Sequence, residues 1–234
     1  MGPAFHRHVL ITPAARAVSA WVEDDYHHMG VTLRHDGATI TCVESEMVRA
    51  PWSTCPGAVT QLSTTFVGVS IEAAAARGEK TLNCTHLYDM ALIAAAHAHD
   101  AVPTHYAMTV SDAADGVRVA EITRDGVSVL RFVERAGVLA EPYGAAGKSL
   151  SQLGEWIASR DEAGREAARL LRWGAIIAHG RAIPLERQSD ATRMPANCFT
   201  FQEGRKQRAV RMGRIIDFSE RGRPLEEKSR PADE

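Results

Sequence analysis

From His8 to Val48 apolar and polar residues alternate with a period of two, the spacing of strands buried on one face. HVLITPA and AVSAWVED read as the first two strands, and MGVTLRHDGATITCVES as a hairpin. In that hairpin Val31 and Leu33 share a face, Asp36-Gly37 supplies the turn, and Ile40 and Cys42 continue beyond it. Glycine suits the turn because its backbone takes a positive φ at no steric cost. Cys42, in phase with Ile40, reads as a small buried hydrophobe.

The period then lengthens to that of helices. PWSTCPGAVTQLSTTFVG opens the first, with Pro56 at a position where a missing N–H costs nothing and Cys55 as the N-cap. Ala58, Leu62 and Phe66 form its stripe and Gly68 closes it. VSIEAAAARG reads as a second, short helix. A third begins near Cys84, with Leu87, Met90, Ala91 and Ala94 as its buried side.

Strand alternation returns after Pro103, where Asp115-Gly116 and Asp125-Gly126 each mark a turn of an antiparallel meander. KSLSQLGEWIASRDEAGREAARLLRWGAIIAHG predicts helix, amphipathic in its second half. A polar link, PLERQSDATRMP, leads to a hairpin-like piece, NCFTFQEGRKQRAVRMGRIIDF, and the tail SERGRPLEEKSRPADE is almost without apolar residues, which predicts disorder. The expected class is α+β: an antiparallel hairpin sheet with helices on one face, plus a β-meander and helical insert. The expected domains are a core at 1–102, the insert at 103–193, a C-terminal hairpin returning to the core at 194–218, and the tail at 219–234.

Composition narrows the function. Of the 234 residues 45% are hydrophobic and 24% charged, ordinary for a soluble globular protein. A formal net charge of −2 gives no basic field to draw in nucleic acid or an anionic membrane. No apolar run approaches the ~20 residues of a membrane span, and the N-terminus shows no secretory signal, so the cytoplasm is the expected compartment. There Cys42, Cys55, Cys84 and Cys198 stay reduced, which raises metal binding or catalysis over disulfides. No CxxC pair is present, which excludes a zinc ribbon.

Cys55 and Cys84 both fall at helix starts, where free N–H groups and the helix dipole stabilise a thiolate. Each also reads as a buried thiol without chemistry, and Cys198 as a core residue of the last strand. His27 and His28 are neighbours, so on a strand only one of them faces a site. His86 lies two residues past Cys84, ~200° round a helix, which favours a general base over a shared ligand. Asp89, one turn on, is placed to orient it. Asp24 and Asp25 read chiefly as solvated strand-end carboxylates, with a lesser case as ligands. The HRH run at 6–8 and His97 and His99 read as surface groups.

The order hairpin, cysteine, short helix, cysteine and long helix resembles the iron–sulfur scaffold fold of NifU-like proteins. It resembles more closely the bacterial family known as domain of unknown function 2889. The residues that carry this likeness are HHM with His27 and Met29, the lone Cys55, CTHL with Cys84 and His86, and NCFTFQEG with Cys198. They cover about residues 5–100 and 194–218. Asn83 stands where the family has glycine, and residues 103–193 exceed its usual connection. The family position selects His27 over His28, and the resemblance implies metal ligands at His27, Cys55, Cys84 and Cys198.

Soft thiolates with an imidazole favour Zn²⁺ or an iron–sulfur cluster. The leading expectation is a zinc-dependent, non-redox lyase or hydrolase with His86 and Asp89 catalytic. Its substrate is a small apolar or aromatic catabolic molecule, with Tyr106, Phe132, Trp156 and Trp173 walling a pocket. No nucleic-acid or membrane partner is expected, and a homo-oligomer stays open. Two alternatives differ in class: a non-enzymatic iron–sulfur or sulfur-carrier scaffold, and a structural zinc domain for a protein partner.

Overall fold

The computed structural model describes residues 2–212 and 215–221, a mixed α/β protein built on an eight-stranded sheet. The strands are β1 (Ala4–Ala14), β2 (Ala17–Asp24), β3 (His28–His35), β4 (Ile40–Arg49), β5 (Thr104–Ser111), β6 (Val117–Arg124), β7 (Val127–Arg135) and β8 (Val138–Glu141). Their order in the sheet is β4-β3-β2-β1-β5-β6-β7-β8, and the pairs from β2 to β4 and from β5 to β8 are antiparallel. The chain forms two compact units. Of the described residues, one takes 9–104 and those between 185 and 216, the other 2–8, 105–184 and 217–221.

In the first unit the alternation of β3 places Met29, Val31 and Leu33 inside. Trp21 on β2 stands opposite Gly30 and lays its ring across it; a Cβ at Gly30 would lie 2.3 Å from that ring. Helix α1 (Ala58–Phe66) packs on β4, and α2 (Thr85–Ala96) packs on β2 and β3. Both predicted stripes are buried: Ala58, Leu62 and Phe66 in α1, and Leu87, Met90, Ala91 and Ala94 in α2. Gly68 takes φ +82 and donates to the Ile40 carbonyl at 2.8 Å, which ends α1 where the glycine predicts.

Three local expectations give way. Cys55 does not cap α1; it begins a 3-10 turn, Cys55–Gly57, that leads into the helix. VSIEAAAARG yields a single 3-10 turn, Ala74–Ala76, and its N–H groups bond three residues back, Ala73 to Ser70, Ala74 to Ile71, Ala76 to Ala73 and Arg77 to Ala74. The C-terminal piece is not a hairpin among the described residues. It runs through 3-10 turns at Phe199–Phe201 and Lys206–Arg208, with an isolated bridge from Arg211 to Trp52. Phe199, Thr200 and Phe201 are all buried, and a strand would turn the middle one to the opposite face.

In the second unit β5 alternates strictly, with Tyr106, Met108 and Val110 buried. Asp115-Gly116 and Asp125-Gly126 make the predicted turns, all four residues at positive φ, and Ala136-Gly137 makes a third. Helices α3 (Gly154–Ala158) and α4 (Glu162–Ala178) follow, and Asp161 caps α4 by accepting from the Gly164 N–H at 2.9 Å. The small residues Ala167, Ala168, Gly174, Ala175 and Ala178 line the buried side of α4, which packs on β6 and β7. Among the described residues no helix is long and apolar enough to cross a membrane. The tail predicted to be disordered lies outside the described residues from 222 onward.

Candidate metal centre

Residues Asp25, Tyr26 and His27 join β2 to β3, and Asp24 shapes that turn. Its Oδ1 accepts from the backbone N–H of Tyr26 and of His27, both at 2.8 Å, and its own N–H donates to the His27 carbonyl at 2.8 Å. Aspartate suits the place because its short side chain folds back onto N–H groups two and three residues on. The same carboxylate lies 3.0 Å and 3.2 Å from His27 Nδ1. Asp24 and Asp25 are wholly buried, at 0% exposure, so they are not the solvated carboxylates the sequence suggests.

Helix α2 begins directly after Cys84, which puts His86 in its first turn and against His27. The two imidazoles stack with centroids 3.9 Å apart and planes inclined by 28°. Asp24, His27 and His86 each bring one ligand atom within 4.8 Å of the others, and all three are buried. Donors around a single zinc ion, at ~2.0–2.2 Å each, stand at most ~4.4 Å apart, so small side-chain movements close this group on one cation.

The cysteines are not part of this group of three donors but belong to the same unit. Cys84 Sγ packs 3.9 Å from Met29 Sδ, and Cys55 Sγ lies 3.3 Å from Thr200 Oγ1. Cys198 arrives next to Cys84 through the backbone, where the Phe199 N–H donates to the Asn83 carbonyl at 2.8 Å. Burial pushes the Cys84 thiol up to about 12, aided by Cys55 and Cys198 and opposed by the Leu87 and His86 backbone N–H groups. Burial also raises Cys55 and Cys198. All are free thiols, and Cys42 is half-buried on β4. Among the described residues no three ligand atoms from these thiols approach as closely as the Asp24 group does.

Asp89, expected to orient His86, has both oxygens on Lys80 Nζ, at 2.6 Å and 2.8 Å. His28 turns instead to Glu23, 3.6 Å away, and to the edge of the Trp21 ring. His8 and His97 are buried and not surface groups: His8 Nδ1 meets His105 Nε2 at 2.9 Å, and His97 Nδ1 meets Asp100 at 2.6 Å. Tyr106 and Phe132 are core residues of the second unit, where Tyr106 donates to Glu166 at 2.7 Å. That unit has a cavity of about 260 Å³ lined by Tyr106, Arg124, Leu130, Arg160 and Gly164. Asp24 is the site residue the sequence reading undervalued. Its signal is a carboxylate three residues before a histidine at the end of a strand.

Fold and site together define a mixed α/β protein with a largely antiparallel sheet and a buried carboxylate–imidazole group suited to a divalent cation. Residues 10–100 match the model of the family described as protein of unknown function (DUF2889). The matched stretch holds Asp24, His27, Cys55, Cys84 and His86, while Cys198 falls outside it. Among curated proteins none matches the chain.

Proposed function

We propose that this protein is a zinc-dependent, non-redox enzyme, a lyase or hydrolase, with Asp24, His27 and His86 as metal ligands. One observation carries the reading: a fully buried carboxylate and two stacked imidazoles whose ligand atoms lie within 4.8 Å of one another. Three protein ligands of this kind leave positions open for water or substrate, as catalytic sites require. When bound, the ion supplies Lewis-acid polarisation and a lowered water pKa. Asp24 fixes the His27 ring and the turn that carries it, and packing of α2 on β2 and β3 sets the height of His86. In this reading His86 holds the metal and is not the general base.

Two imidazoles and a carboxylate also suit iron(II) oxygenases. Non-redox chemistry is favoured by the sulfur atoms nearby. Met29 lies two residues past His27, Cys84 two before His86, and they touch each other at 3.9 Å. Both are oxidisable groups that an oxygen-activating centre would damage. Four unpaired cysteines favour a reducing, cytoplasmic setting, and a small apolar or aromatic molecule remains the proposed substrate.

A second reading keeps the metal on sulfur, as a structural zinc or iron–sulfur site of Cys55, Cys84 and Cys198 in the manner of the NifU-like scaffolds. It is favoured by the mutual influence of the three thiols, Cys84 buried and Cys55 and Cys198 partly so. Elemental analysis separates the two. The proposed enzyme carries about one zinc per chain, loses it in Asp24→Asn and His86→Ala, and keeps it in Cys55→Ser and Cys198→Ser. The reverse pattern, or a brown oxygen-sensitive preparation, overturns the proposal. Stoichiometric iron on the Asp24 group would move the chemistry to redox.

A further inference from the structure

The cavity of about 260 Å³ in the second unit is lined by residues of β5, β6 and β7 and by the chain entering α4. It falls just below the ~300 Å³ at which pockets for drug-sized ligands begin, so it takes a smaller molecule. Tyr106, Val129, Leu130 and Ala167 give it apolar walls, and Arg124 and Arg160 bring two guanidinium groups to the same space. Arg160 lies over the Trp156 ring, 4.8 Å from its centre, and Trp156 stands edge-on to Phe132 with centroids 6.0 Å apart. The ring offsets part of the charge but is no substitute for acceptors on the guanidinium N–H groups. Among the described residues the Nε of Arg160 is shut off from solvent without a hydrogen-bond partner, and no carboxylate pairs with its guanidinium. Arg124 has one loose pair, Asp125 at 3.8 Å, which is exposed and neutralises little. By contrast Arg118 and Arg181, drawn into the same unit, face Glu134 and the pair Asp112 and Asp217. Gly164 stands in the first turn of α4, where alanine is the better helix former. A Cβ there would lie 2.5 Å from Asp161 Oδ1 and 3.0 Å from Arg160 Nε, so the glycine keeps room for the helix cap and for the arginine.

We propose that this cavity binds a small carboxylic acid with an aromatic or aliphatic body, its carboxylate paired with Arg160 and supported by Arg124. A guanidinium presents two N–H groups side by side, which match the two oxygens of a carboxylate. Charge selects the class of anion. Two cations line the cavity together with one carboxylate, Asp161, whose Oδ1 accepts from the Gly164 N–H at 2.9 Å. The single positive charge that remains suits a monoanion better than a phosphate dianion. The apolar walls in turn select an acid with an apolar body over an inorganic ion. Tyr106 serves as wall and not as ligand, because its hydroxyl already donates to Glu166 at 2.7 Å. Every lining residue belongs to the second unit and lies outside the stretch 10–100. The site therefore does not rest on the metal reading above.

The test titrates the full chain calorimetrically with benzoate, hexanoate, neutral benzamide and inorganic phosphate. At least one of the two acids binds wild type, about tenfold or more tighter than benzamide and tighter than phosphate. Arg160→Gln lowers that affinity roughly 10- to 100-fold, the effect of removing a charged hydrogen-bond partner, while Arg160→Lys keeps part of it. Val129→Trp fills the cavity from a strand position that is 43% exposed, so it weakens binding without lowering the melting temperature. No binding of either acid, equal binding of acid and amide, tighter binding of phosphate, or wild-type affinity in Arg160→Gln overturns the site. Should Arg160→Gln fail to fold, Val129→Trp decides in its place. Asp24→Asn separates this cavity from the metal centre and should leave acid binding at the wild-type value. Acid binding that is lost in Asp24→Asn but kept in Arg160→Gln moves the acid to the metal centre and overturns the cavity site. Acid binding that depends on Arg160 in a protein that takes up no metal keeps the cavity site and removes the metal reading.

Discussion

The His27 ring, from the β2–β3 turn, lies flat against the His86 ring, from the first turn of α2, with 3.9 Å between centroids. The contact ties a hairpin end to a helix start, and the Asp24 carboxylate beside it completes a set of donors for one cation. On the proposed metal reading folding and metal binding are coupled, because an unfolded chain has no such group.

Zinc added to metal-free protein should raise the melting temperature, and a chelator should reverse the gain. At free metal near a thousandfold above Kd the stabilisation is about 4 kcal/mol. His86→Ala should abolish the shift, whereas Cys198→Ser should preserve it. A zinc-induced shift that survives in His86→Ala but disappears in Cys198→Ser assigns the metal to sulfur.

Asp24 serves the fold whether or not a metal binds. Asp24→Ala leaves the Tyr26 and His27 backbone N–H groups without their acceptor in a buried place. Chemical denaturation of the metal-free variant should show a loss of roughly 2–5 kcal/mol, with Asp24→Asn recovering part through its remaining carbonyl oxygen. Wild-type stability in Asp24→Ala would show that the turn does not depend on the carboxylate.

Gly30→Ala sets a methyl group into the Trp21 ring, 2.3 Å from its nearest atom. Overpacking of this kind costs ~1–3 kcal/mol and should shift the tryptophan fluorescence. Gly78→Ala is the control, since nothing lies within 4 Å of its added Cβ. If both variants melt like wild type, the ring is free to move aside.

His35 makes part of the stability depend on pH. It is 4% exposed, and neither ring nitrogen has a hydrogen-bond partner. Burial first, then His99 and Arg16, hold its pKa below the ordinary value, with Asp36 pulling the other way. The unfolded chain therefore takes up this proton at a higher pH than the folded one. The contribution is present above about pH 6.5 and is lost as pH falls through the folded value. Urea unfolding at about pH 7.5 and pH 5.5 should show a smaller loss in His35→Phe than in wild type. Equal losses would assign the acid sensitivity to other groups.

Much of the secondary structure was legible from neighbours along the chain. The alternation around Val31 and Leu33, the stripes Leu62–Phe66 and Leu87–Ala94, and the turns at Asp36-Gly37, Asp115-Gly116 and Asp125-Gly126 all follow from period and from the φ that glycine permits. The stretch 69–78 departs from the helix its alanine run favours, and its N–H groups bond three residues back in successive tight turns. The C-terminal piece was misread because FTF alternates like a strand yet packs all three side chains inside.

The site divides in the same way. His27 and His86 stood out by residue type and by family position, but their partner did not. Asp24 in DDYHH carries the composition of a solvated strand end, and only the fold of the β2–β3 turn buries it against His27. Asp89 sits at a helical offset that suits His86, yet Lys80, just before α2, draws its carboxylate away. Local order is set by short-range sterics and periodicity, which the sequence carries in itself. Which donors meet depends on contacts between distant segments that only packing brings about.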